Sequence, residues 1–134
     1  MAKIEMKLPD GWKGQLGEQY VEIESLDGTA SVEVTVGDMP EDSAAPEQAL
    51  INYIDMVGFD DDDPEDYSPI EKWDFNNRKA YGFDAYLEDE SSIRVLCIEP
   101  KKGVLTVISI VGRNEQIVEE TMKLLERILR IRYI

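Results

Sequence analysis

Apolar and polar residues alternate with period two over two early stretches. In 19–25, Val21 and Ile23 face one way and Glu22 and Glu24 the other; in 30–36, Val32, Val34 and Val36 oppose Ser31, Glu33 and Thr35. Such alternation predicts strands packed on one side only, with a polar second face. Asp27-Gly28 between them predicts a hairpin turn. After a loop over 37–43, Ala49, Leu50, Tyr53, Ile54 and Val57 recur at helical spacing, so 44–57 is predicted as an amphipathic helix with Ser43 as N-cap and Gly58 as its end.

The second half reads as a meander. Strands are predicted at 69–75, 80–87, 92–98 and 104–111, with turns at Asn76-Asn77, Glu88-Asp89-Glu90 and Pro100-Lys101-Lys102-Gly103. The strand at 92–98 is apolar on both faces except for Arg94, and 104–111 is apolar almost throughout, so both are expected at the centre of a sheet covered on both sides. Asn114 is the expected cap of a closing helix whose stripe is Ile117, Val118, Thr121, Met122, Leu125, Ile128 and Leu129. Glu119–Lys123 and Glu126–Arg130 stand at i, i+4 spacing, and the alternating tail 130–134 reads as extended chain. Residues 1–18, with Gly11, Gly14 and Gly17, read as a turn-rich lead-in anchored by Trp12. The expectation is one α+β domain over 1–134: a mainly antiparallel six-stranded sheet between two helices.

Composition narrows the chemistry. The 134 residues include no His and 1 Cys, which excludes a Ser-His-Asp or Cys-His site and a Cys-rich zinc site built from this chain alone. Walker A loops and Gly-x-Ser-x-Gly elbows are absent, and Gly11-x-x-Gly14-x-x-Gly17 lacks dinucleotide spacing. Ser68 and Lys72 would lie roughly 13 Å apart along a strand at about 3.3 Å per residue, too far for a Ser–Lys pair. Cys97, among Val95, Leu96 and Ile98, is expected to be a buried hydrophobe rather than a reactive thiol. No enzyme, cofactor or metal site is expected. Among the apolar runs none approaches the roughly 20 residues of a membrane span, and Met1-Ala2-Lys3-Ile4-Glu5 lacks a secretory signal core. The lean is therefore cytoplasmic.

Charge is the stronger clue. Residues 1–67 hold 18 acidic and three basic residues, whereas 68–134 hold 11 of each, so the whole excess of −15 lies in the first half. Nucleic acid and anionic membranes would be repelled, and a basic protein attracted. The run Asp60, Asp61, Asp62, Asp63, Pro64, Glu65, Asp66 is expected to be a solvated loop and the leading partner-binding candidate, with Tyr86 as a surface aromatic beside Asp84. Ca²⁺ is an alternative ligand of that run, although Pro64 and Glu65 break the EF-hand spacing. A third class, an enzyme using carboxylates on a small ligand, would require acids converging in a deep pocket. A concave, partly apolar patch near 37–43 and 59–68 would be the most useful feature to look for.

The opening Leu8-Pro9-Asp10-Gly11-Trp12, the order of elements and the closing helix with Ile128 and Leu129 together resemble the PsbP-like fold. That superfamily includes the extrinsic protein of photosystem II, a yeast Ran-binding import factor and bacterial chaperones of secreted effectors. The resemblance implies a non-enzymatic binding module, and no functional residue of the family carries over to a position here. The leading expectation is an acidic protein-binding domain, with an immunity protein or effector chaperone for a basic partner as its sharper form.

Overall fold

Nine strands and one helix are laid out along residues 2–38, 68–86, 90–101 and 103–133, the residues that the computed structural model describes. The strands are β1 (Ala2–Glu5), β2 (Trp12–Leu16), β3 (Tyr20–Ser25), β4 (Ala30–Asp38), β5 (Glu71–Phe75), β6 (Arg78–Tyr86), β7 (Ser92–Lys101), β8 (Val104–Gly112) and β9 (Arg130–Tyr133). Helix α1 (Glu115–Ile128) lies between β8 and β9. Seven strands form an antiparallel sheet in the order β2-β3-β4-β8-β7-β6-β5, and β1 and β9 form a separate antiparallel pair.

The expected six strands are all present, and β2 adds a seventh at the sheet edge. The lead-in keeps a turn at Asp10-Gly11 but also holds two short strands, β1 and β2, where only turns were expected. Its glycines hid this: Gly14 sits at φ 147°, and a Cβ there would overlap the carbonyl oxygen of Glu22 on β3. Glycine at this position permits the close backbone approach of β2 to β3. The tail forms β9, as its alternation implied, and pairs with β1. One helix rather than two lies among the described residues; the expected helix over 44–57 and the acidic run fall outside them.

Turn chemistry follows residue type. Asn76 and Asn77 adopt φ 50° and 64° between β5 and β6, and Gly28 adopts 75° between β3 and β4. Asn tolerates this left-handed region and glycine enters it without strain.

Burial separates the two sheet faces. On one, Val21, Ile23, Val32, Val34, Leu96, Ile108 and Ile110 pack against Val118, Met122, Leu125 and Leu129 of α1 and its C-terminal end. Asn114 caps that helix, its Oδ1 accepting the Ile117 amide at 3.0 Å. Trp12 packs against the same core, as do Ala2 and Ile4 of the β1–β9 pair. On the other face, Phe83, Ala85, Ile93, Val95 and Cys97 form a second cluster. The strands expected at the centre therefore lie there, with β8 in the middle of the seven and β7 beside it.

Candidate functional site

The second face grades from charged to apolar across the strands. Register aligns two rows of side chains, one running Lys13, Glu24, Ser31, Val111, Ile93 and the next Gln15, Glu22, Glu33, Ser109, Val95. Neighbouring strands are about 4.8 Å apart, so each row spans four such steps. Glu22, Glu24 and Glu33 are exposed, Val111 is half-buried, and Ile93 is buried. Members of both rows line a concavity of about 520 Å³, open to solvent. A second concavity shares Glu24, Ser31 and Val111 with it and continues to Asp27 and Arg113 at the β3–β4 turn.

The electrostatics of this face are unbalanced. Lys13 Nζ lies 3.4 Å from Glu24 Oε1. Glu22 and Glu33 stand directly opposite each other on β3 and β4, and neither has a cation within ion-pair distance among the described residues. Like charges facing across a strand pair cost stability. Tyr20, at the same edge, donates its hydroxyl to Glu22 Oε2 at 3.3 Å. Its phenol is pushed up to about 12, first by lost hydration and then by the Glu33 and Glu22 carboxylates, which oppose a phenolate.

This shift has a measurable sign. The folded protein retains the Tyr20 proton where the unfolded chain, near 10, has released it, so alkaline stability falls between about pH 10 and about 12. In a phenolate absorbance titration, Tyr20→Phe is expected to remove one phenol ionising near 12, and Glu22→Gln with Glu33→Gln to bring that step down toward 10. An unchanged late step in Tyr20→Phe would assign it to another tyrosine.

A second cluster lies on the helix side. Arg94, 7% exposed, extends its Nε to Asp84 Oδ1 at 2.7 Å and its Nη2 to Asp84 Oδ2 at 3.0 Å. Nη2 also reaches Glu119 Oε1 on α1 at 2.6 Å, and the guanidinium lies over the Trp73 ring at 4.8 Å. The Asp84 hydrogen bonds, with a smaller contribution from Glu119, hold Arg94 above the ordinary arginine value despite burial. Glu119 therefore serves Arg94 rather than pairing with Lys123 along the helix, because a buried guanidinium has more donors than Asp84 alone can satisfy. Arg94 was visible in the sequence only as the polar interruption of an apolar strand.

Tyr86 stands at the rim of this cluster, 46% exposed, and lines the same hollow as Glu115. The Glu115 carboxylate and some burial raise its phenol above the ordinary value. Asp84, Tyr86, Ser92, Arg94, Glu115 and Glu119 line a hollow of about 430 Å³. With the guanidinium committed to carboxylates, this hollow offers no free anion-binding fork.

Asp60, Asp61, Asp62, Asp63, Glu65 and Asp66 lie outside the described residues, as do most of 37–43 and 59–68. Cys97 is fully buried, and desolvation pushes its thiol up to about 12, the condition of an inert core cysteine. Ser68 precedes β5 rather than lying in it, and its Oγ accepts the Asp84 amide at 2.9 Å. No group of three or more metal-ligating side chains is found among the described residues. No described helix is long and apolar enough to cross a membrane.

The sequence matches no family model. It also matches no curated protein. Among solved structures, the chain is similar to the solution structure of cyanobacterial PsbP (CyanoP) from Synechocystis sp. PCC 6803, with a TM-score of 0.59 at 14% identity, covering 98% of this chain and 87% of that one. The chain has a PsbP-like fold, as the lead-in motif and element order implied. At this identity the likeness establishes the fold and does not extend to activity.

Proposed function

We propose that this protein is a non-enzymatic binding module that grips a basic protein partner through the charged part of its second sheet face. The observation that carries this reading is the exposed pair Glu22 and Glu33, without a cation in ion-pair range among the described residues, lining an open concavity. A hairpin that accepts facing carboxylates keeps a field able to steer a cationic partner. Two further facts support the absence of catalysis. The chain has no His, and its one thiol is buried. An immunity protein or effector chaperone is the sharper form of the same reading, in which the basic partner is a toxin or effector.

The test compares immobilised wild-type chain with the Glu22→Lys, Glu33→Lys double variant in lysate of the native cell. Proteins held by the wild type alone are expected to elute between about 0.1 M and 1 M salt, as the screening length falls from about 10 Å to about 3 Å. Equal retention by both forms, or release insensitive to salt, would refute a charge-read interface.

A further inference from the structure

The register rows place acid and apolar side chains at fixed separations. From Glu24 to Val111 is two strand steps, about 10 Å, and Glu33 on β4 stands one step from Ser109, the β8 neighbour of Val111 at i−2. The Val111 side chain and, behind it, Ile93 floor the trough where the carboxylates end. A purely cationic segment would satisfy Glu22 and Glu33 and leave this floor wet. A purely apolar one would cover the two carboxylates while bringing no cation to pair with them.

We propose that the trough on the second face selects a protein segment in which lysine or arginine stands beside apolar residues, the bases on Glu22 and Glu33 and the apolar side chains on Val111. This rests on the binding reading above and names the partner's chemistry. Charge complementarity sets the occupant: among the described residues the rim carboxylates of Glu22 and Glu33 have no cation, and Lys13 is already committed to Glu24. A long basic side chain can lie along the apolar strip while its head reaches a carboxylate. The electrostatic part sets encounter rate, and the apolar part sets residence.

Two labelled synthetic peptides test this by fluorescence anisotropy on the full chain at low salt: one mixing lysine with leucine, and one with every leucine replaced by serine. The leucine peptide is expected to bind about tenfold or more tighter, equivalent to about 1.4 kcal/mol. Glu33→Gln should weaken both peptides, while Val111→Thr, close in shape, should erase most of the leucine preference alone. Glu22→Gln provides a second rim variant. Equal affinity of the wild type for the two peptides would overturn the inference while leaving the charge-read module standing. Binding of neither would overturn the module itself. A leucine preference untouched by Val111→Thr would place the apolar contact elsewhere and likewise sink the inference.

Discussion

Asp84→Ala is expected to lower folding stability by about 3 kcal/mol, the low end of the range for removing one partner from a buried ion pair. The low end applies because the Asp84 side chain is 27% exposed, so water partly reaches the site, while Arg94's is only 9% exposed. The substitution deletes the acceptors of Nε and one Nη2 bond, leaving the guanidinium with Glu119 and the Met122 sulfur at 3.1 Å. The cost comes from the charge left behind. Arg94→Leu should therefore be milder than Asp84→Ala, since an apolar side chain suits the Trp73 and Met122 surroundings and the two carboxylates can rehydrate. Glu119→Gln should cost less than about 1 kcal/mol, because Glu119 is 54% exposed. Urea denaturation with a common slope would rank the three by midpoint. A Glu119→Gln loss equal to that of Asp84→Ala would show that the tie to α1, rather than the Asp84 fork, holds Arg94.

How much of this was legible depended on whether a residue's role is set by local pattern or by register. The strands from Tyr20 to Val111 were readable because β-branched residues alternate with polar ones where one face is buried, and run unbroken where both are. Asn114, Asn76-Asn77 and Gly28 were readable because caps and turns depend on few residues. β2 was not: in Trp12-Lys-Gly-Gln-Leu the glycine reads as a break, and only the approach of Glu22 from β3 explains it. The candidate site fell between these cases. Glu22, Glu24 and Glu33 were visible as one polar face, but nothing local says that Glu22 meets Glu33 or that their rows end on Val111. The cluster of Asp60 to Asp66 drew attention because it is contiguous, whereas the acids of the sheet face are assembled by pairing. Arg94 is a similar case, since its partners lie 10 and 25 positions away.

Leu125→Ala is expected to cost about 3 kcal/mol, with Leu125→Met held below about 1.5 kcal/mol because volume is kept. Leu125 is fully buried within the cluster that joins α1 to Val32, Val34, Ile108 and Ile110. Truncation removes apolar contact from the sheet side and leaves a hole that a rigid sheet closes only in part. Calorimetry of the three forms gives the stability order. Peptide anisotropy on the same samples gives a separate result: well below its melting point, Leu125→Ala should bind the lysine–leucine peptide as the wild type does. The reason is geometric. Val32 and Val34 point to the helix side of β4, and Ser31 and Glu33 point to the other, so one strand anchors the core with alternate residues and lines the trough with the rest. Damage to the core lowers the folded population without altering the spacing of the rows in molecules that remain folded. A loss of peptide affinity in fully folded Leu125→Ala would show that helix docking tunes the sheet, and that support and recognition are coupled through β4 rather than divided between its faces.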